Sequence, residues 1–405
     1  MTFDLALSGI NAAQADLNAT ANNIANTSTT GFKSSRAEFA ELFAVSPQGV
    51  SSTAIGNGVK VADVAQQFSQ GSINFTNNSL DLAISGSGFF TLSNGGAINY
   101  SRSGAFQTDA TGHVVNAQGA RLQVYQPTTT GNFNTSALSD LQLQTTQSAP
   151  SATTTATLGL NLPSAATVPV NAPFNPADPT TYTNATSVTA YDSLGAAHTA
   201  TTYFSKTATS GVWNTNLYVD GTAVGPAQQL TFNASGALTT PANGNLTFPA
   251  YTPTTGAAAM NLTFNFSGAT QYGGNFAVNS ATQDGYTTGR LTGMAIDKSG
   301  VVQAEFTNGK SITLGQVALA NFANVNGLQQ VADTNWDETF ASGQPLRGQA
   351  GNSGFGSIQA GALEASNVDI TAQLVNMITA QRNFQANAQV ISTANQITQT
   401  IINIR

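Results

Sequence analysis

The chain has 405 residues, of which 8% are charged and 40% hydrophobic, and carries a net charge of −7. That length allows two or three domains. Twelve basic residues against 19 acidic ones leave no basic footprint for nucleic acid and disfavour an anionic membrane surface. There is no cysteine, which excludes disulfides and thiolate metal sites. No stretch reaches the roughly 18 apolar residues of a membrane span.

Residues 2–27 read as a helix that ends at Ser28-Thr29-Thr30-Gly31. Phe3, Leu7, Ile10, Leu17, Ala21 and Ile24 recur in alternating steps of three and four, with Gln14 in the missing position. Such a stripe seeks a helical partner. The polar face carries Asn11, Asn18, Asn22, Asn23 and Asn26. Five asparagines destabilise a helix by about 3 kcal/mol relative to alanine. An isolated peptide of this length is therefore barely helical, and association decides whether the helix forms. The Asn22-Asn23-Ile24-Ala25-Asn26 run has two readings. It is a helix C-terminus, where Asn is common, or a set of buried amides that fix register between helices of different subunits. Residues 1–30 lack Lys, Arg and a continuous apolar run, so no Sec-type signal peptide is expected.

From about 55 to 145 the pattern changes to period two. Leu80, Leu82 and Ile84 alternate with Asp81 and Ala83, and Asn94-Gly95 and Asp109-Ala110-Thr111-Gly112 supply turns. Segment 146–283 holds ten of the 13 prolines and only four charged residues, Asp178, Asp192, Lys206 and Asp220. Strand candidates at 187–191, 199–204, 213–219 and 261–266 are too regular for a disordered linker, so the segment reads as an inserted β domain. The earlier pattern returns after 284. Met294–Ile296, Val301–Phe306 and Ile312–Leu314 are joined by Asp297-Lys298-Ser299-Gly300 and Asn308-Gly309, a strong hairpin signal. A Gly-rich stretch, 341–361, then leads to a C-terminal helix over roughly 366–403. Its stripe is Ile370, Leu374, Met377, Phe384, Ala388 and Ile391, with Gln381 in the seam. The simplest partner for each terminal helix is the other, or copies of both on neighbouring molecules. Two ordinary amphipathic helices on one globular core are the plainer alternative.

Chemistry-bearing residues are sparse. His113 and His198 are the two imidazoles, and both fall near turns. Asp109, Asp192 and Asp297 sit where a carboxylate bonds nearby backbone amides. No convergent nucleophile, base and orienter is visible, and no phosphate loop or metal spacing. No enzyme activity, cofactor or metal is expected. Tyr182, Tyr203, Trp213 and Tyr218 in the Thr/Asn-rich middle leave open a secreted adhesive or carbohydrate-binding β protein.

The run Ala21-Asn22-Asn23-Ile24-Ala25-Asn26-Thr27, with Thr30-Gly31-Phe32-Lys33 after it, closely resembles the N-terminal signature of the bacterial flagellar rod and hook axial proteins. Leu363-Glu364-Ala365-Ser366-Asn367-Val368-Asp369, continuing to Met377-Ile378 and Gln381-Arg382-Asn383-Phe384, resembles that family's C-terminal signature. Leu82–Phe90 resembles its shared β core. The match covers about two-thirds of the chain and leaves 146–283 without a motif. Within the family, rod proteins are shorter and the filament-junction protein is longer, so this length implies the subunit of the hook, with a distal rod protein as the alternative.

The resemblance implies an α+β, mainly β, nested fold. Residues 1–30 and 363–405 form a coiled-coil-like polymerisation layer around the export channel, and 31–70 is a connecting segment wedged between subunits. Residues 71–145 and 284–362 build an inner β domain, and 146–283 an inserted outer one. Expected assembly residues are Leu7, Ile10, Leu17, Asn22, Asn23, Ile24 and Asn26, with Ile370, Leu374, Met377, Phe384 and Ile391. Implied partners are many copies of the chain itself, the distal rod protein, the hook cap protein, the hook–filament junction protein and the flagellar type III export apparatus. No nucleic acid and no membrane insertion are expected. The implied location is extracellular, reached without a cleaved signal peptide.

Overall fold

The computed structural model describes residues 2–42, 56–129, 131–143 and 147–403. Part of the expected connecting segment and the expected boundary at 145/146 lie outside these residues. The chain is mainly β, with one helix near each end, α1 (Thr2–Ala25) and α2 (Ile370–Asn403). It divides into two units. The first comprises 1–145, 293–305 and 311–405, and the second 146–292 and 306–310. The second thus runs past the expected end at 283.

In the first unit, α1 stops where Asn26 turns back on it. The Asn26 N–H and Nδ2 both donate to the Asn22 carbonyl. A hairpin follows, β1 (Ser35–Glu41) against β2 (Val59–Gln66), with a bulge between Glu38 and Phe39. α2 starts later than expected, at Ile370, because Asp369 caps it. The Asp369 Oδ1 accepts from the N–H groups of Thr371 and Ala372 at 2.8 and 3.2 Å. Residues 362–364 instead form a strand against Ile73–Phe75.

The body of this unit is an antiparallel sheet. Its order is Val301–Phe306, Ser311–Asn321, Arg121–Tyr125, Phe89–Asn94, Ala97–Ser101, Asn335–Asp337 and Gln329–Gln330. Both faces of the Phe89 strand are covered. Phe90 and Leu92 join Leu82, Ile84, Leu122, Val124 and Leu319 in one core. Phe89 joins Tyr100, Phe322 and Trp336 in another, with Phe68 at its edge.

The second unit contains a six-stranded and a four-stranded sheet that share one core. Strand Val212–Val219 shows the cause. Trp213, Thr215, Leu217 and Val219 are buried, and the residues between them are half-buried, the period-two signal of a sheet with one inner face. Its two chain ends meet. Ser148 N–H donates to the Gly289 carbonyl at 2.8 Å, and Ser151 pairs with Tyr286.

Candidate assembly interface

α1 and α2 pack side by side in antiparallel register. Asn23 Nδ2 donates to Gln373 Oε1 at 3.2 Å near one end, and a Cβ placed on Gly9 would fall 2.5 Å from Asn387 Oδ1 near the other. The contact face of α1 is built from small residues. Ala6, Ala13 and Thr20 are buried, each one heptad from the next, together with Asn23. On α2 the matching line is Gln373, Met377, Ala380, Asn387, Ile391 and Ala394, all buried or half-buried. Small side chains let two backbones approach closely, as ridges settle into shallow grooves. Asp16, close to this line, has its carboxyl pushed above the ordinary value by burial.

The expected assembly residues divide accordingly. Leu7, Asn22, Ile370, Leu374 and Phe384 are exposed. Ile10, Leu17, Ile24, Asn26, Met377 and Ile391 are half-buried. Asn23 alone among them is buried, and it is satisfied within its own chain. Its Oδ1 accepts from Ser35 N–H at 2.8 Å and its Nδ2 donates to the Ser35 carbonyl at 2.7 Å. Phe3, Val375, Ile378, Val390, Ile397, Ile401 and Ile402 add to the exposed apolar surface of the pair. α2, with 34 residues against 24, outruns α1 by nearly three turns, and Ile397, Ile401 and Ile402 lie towards its far end. The α1 stripe of large residues is therefore only partly covered, with Ile10, Leu17 and Ile24 half-buried and Phe3 and Leu7 exposed.

Below the helices lies a knot of buried charge. Lys33 Nζ donates to Glu364 Oε1 at 2.7 Å and to the Ser69 carbonyl at 2.8 Å. Arg102 Nη1 donates to Glu364 Oε2 at 3.2 Å, and its Nη2 to the Gly86 carbonyl at 2.9 Å. Gly71 N–H adds a bond to Glu364 Oε1 at 2.9 Å. All three charged side chains are almost wholly removed from solvent. Burial pulls the Lys33 ammonium below its ordinary value, and the Glu364 carboxylate opposes that shift. Asn367 ties the same segments again. Its Oδ1 accepts from Ser34 N–H at 2.8 Å, and its Nδ2 donates to the Gln67 carbonyl at 2.7 Å. The N-terminal segment, the end of the hairpin and the approach to α2 are thus joined at one point. The hairpin is also fixed to the β body, because Trp336 Nε1 donates to Gln66 Oε1 at 2.6 Å.

Lys33, Glu364 and Asn367 lie within the terminal motifs, where their neighbours in sequence point to no role for them. The available signal was a lone charge inside an uncharged, partly apolar run, Gly31-Phe32-Lys33 and Ala362-Leu363-Glu364. In a chain so poor in charge, such positions invite pairing.

Four family models match the chain. They are flagella basal body rod protein at residues 3–33, flagellar hook protein FlgE/F/G D1 domain at 83–172, flagellar basal body protein FlaE D2 domain at 161–286, and flagellar basal body rod FlgEFG protein C-terminal at 359–404. Flagellar hook protein FlgE of Salmonella typhimurium is 41% identical over 416 residues, covering 100% of both chains. The Escherichia coli protein of the same name is 40% identical over 413 residues, again with 100% of both chains covered. Flagellar hook protein FlgE2 of Helicobacter pylori shares the fold, with a TM-score of 0.53 and 15% identity over 72% of this chain and 100% of that one. The chain belongs to the flagellar hook protein FlgE family and is a structural subunit of the bacterial flagellar hook.

Proposed function

We propose that the terminal helical pair is the polymerisation layer, and that the exposed apolar sides of α1 and α2 pack against helices of neighbouring copies. The observation that carries this reading is the division of each helix into two faces. The small-residue face is used within the chain, while Phe3, Leu7, Leu374, Ile378 and Ile397 remain in solvent. So many exposed large apolar side chains on one pair of helices mark an interaction site. Burying one such side chain between copies contributes about 1.5–3 kcal/mol, and the gain repeats at every subunit of a tube. The hairpin wedges between subunits and passes their orientation to the β body, to which Gln66 fastens it through Trp336.

The assembled tube acts as a flexible joint that transmits torque from rod to filament. Surfaces of Thr, Asn, Gln and Ser suit sliding contacts, since each neutral hydrogen bond is worth about 0.5–1.5 kcal/mol and exchanges readily with water. The subunit is delivered by the flagellar type III export apparatus to an extracellular position. There it meets the distal rod protein, the hook cap protein and the hook–filament junction protein.

The test is Leu7→Asp and Leu374→Asp. Both positions are solvent-exposed in the single chain, so the subunit stays folded. A charge at a dry contact costs several kcal/mol, so polymer and motility are lost. Normal hooks on cells carrying either substitution would remove these faces from assembly.

A further inference from the structure

We propose a second contact between copies, away from the helices. Phe340, at the tip of the loop after Asn335–Asp337, docks onto the apolar side of the neighbouring copy's β1–β2 hairpin, at Phe39 and Val61. This inference rests on the homopolymer reading above.

Phe340 is fully exposed, at 106% of the reference area. A lone surface phenylalanine on a floppy loop would mean little. This loop is fixed. Thr339 N–H donates to Ser342 Oγ at 2.9 Å, and Ser342 Oγ returns a bond to the Thr339 carbonyl at 2.8 Å. Ser342 itself is completely buried. Asn324 Nδ2 holds the Ala341 carbonyl at 3.0 Å, and Thr339 Oγ1 reaches the Gly327 carbonyl at 2.5 Å. The loop sits so close on Gly327 that a Cβ there would lie 2.5 Å from the Ala341 carbonyl carbon. The backbone on both sides of Phe340 is therefore committed before any partner arrives. A pre-placed aromatic ring with two side-chain torsions is the type of group that anchors interfaces, because little freedom is lost when it is buried.

The acceptor is chosen by chemistry. Phe39 and Val61 are direct cross-strand partners in the hairpin, and both are exposed. Beside Val61 stands exposed Lys60, and two residues before Phe340 stands exposed Glu338. Ring and acidic neighbour on one copy thus face an apolar pair and a cation on the next. The contact joins two different patches, so it is head-to-tail and propagates along a filament instead of closing a dimer.

The test uses the full purified chain and starts from the concentration at which the wild type polymerises. If the wild type forms no polymer, the homopolymer reading fails and this inference with it. Given wild-type polymer, Phe340→Ser is expected to keep the wild-type melting profile and to raise the required concentration about tenfold or more. Phe340→Tyr is expected to restore assembly. Because the chain contains no cysteine, a Phe340→Cys, Val61→Cys variant offers a clean second readout. A short bis-maleimide added to its polymer is expected to give a ladder of covalent oligomers, absent from dilute monomer. Wild-type assembly by Phe340→Ser would overturn the proposal outright. Impaired assembly without a ladder would overturn the hairpin as acceptor.

Discussion

In the inserted unit Trp213, Phe204, Phe264 and Phe266 are buried almost completely, while in the helical pair Phe3, Leu7, Leu374 and Ile378 stand in solvent. The two regions contain the same kinds of apolar residue and complete their burial by different means. The sheets of the inserted unit satisfy one another within the chain, around one continuous core. The helices meet along a line in which Ala6, Ala13 and Ala380 are buried and Met377 and Ile391 half-buried, and they leave Phe3, Leu7, Leu374 and Ile378 exposed. Burial of the large apolar side chains is therefore complete within the chain in the first region and incomplete in the second.

The largest test of that contrast is excision of 149–288, with Ser148 and Gly289 rejoined by a short flexible link. These two residues already share a hydrogen bond of 2.8 Å, so rejoining them displaces little. The shortened chain is expected to keep the helical content of the parent and to form tubes visible by electron microscopy. Loss of the helices in circular dichroism would show that the first unit depends on the second.

Next in size is Glu364→Gln. It leaves Lys33 and Arg102 buried without their shared counter-charge, a change worth about 3–5 kcal/mol. Calorimetry is expected to show the transition of the first unit falling while that of the inserted unit stays in place. A fall in both would mean that the two units unfold together.

A smaller effect is expected from Gly9→Val. The added side chain meets Asn387 across the helix contact, and overpacking of this kind costs about 1–3 kcal/mol. Faster proteolytic trimming of both ends, with the β body intact, is the expected readout. Unchanged trimming would place the two helices further apart than the small-residue line requires.

The smallest effect concerns pH and belongs to the inserted unit. His198 is buried with Nδ1 2.6 Å from Asp220 Oδ2 and Nε2 3.2 Å from Asp192 Oδ2. Burial lowers the imidazole's proton affinity, but the two carboxylates outweigh it and raise the value above the ordinary one. Asp192 shows the reverse balance. Burial pushes its carboxyl up, and bonds from Thr255, Ala196 N–H, His198 and Leu194 N–H hold it down at about 2. Asp220 is lowered too, against burial, by His198, Thr199 N–H and a bond from Tyr251. Because the folded value of His198 is raised, its contribution is complete below about pH 6.5 and disappears as pH rises through the folded value. The melting temperature of this unit is therefore expected to decline as pH rises above about 6.5, and His198→Gln to flatten that decline. The Asp192 contribution has the opposite sign. It is present above about pH 3.9 and lost as pH falls toward 2.

Much of this was legible in the residues. Alternation marked the strands that became Asn184–Tyr191, Ala197–Lys206 and Val212–Val219, because a sheet with one inner face imposes period two on its sequence. The Asn308-Gly309 turn and its hairpin were equally clear. The helices were found in the right places, but their contact line only in part, since Met377 and Ile391 belong to the expected stripe and the buried small residues do not. Size and hydrophobicity point to Phe3, Leu7 and Leu374, whereas a close antiparallel approach selects Ala6, Ala13 and Ala380. A one-dimensional pattern reports how many apolar faces exist and not which neighbour covers each. The Lys33–Glu364 pair was invisible for a related reason. Its partners are 331 residues apart, and nothing local distinguishes a charge that will be paired from one that will be solvated. The Asp192–His198–Asp220 cluster likewise needed the hairpin register to bring its members together.

The knot at Glu364 also bears on the order in which a chain can mature. Both cations precede the carboxylate, so every incomplete chain, however well its sheets have formed, holds Lys33 and Arg102 without the group that lets them be buried. A chain cut anywhere before Glu364 cannot join its beginning to its end. The junction thus closes only once Glu364 itself has been made, and the two cations gain their shared counter-charge at that moment and not before.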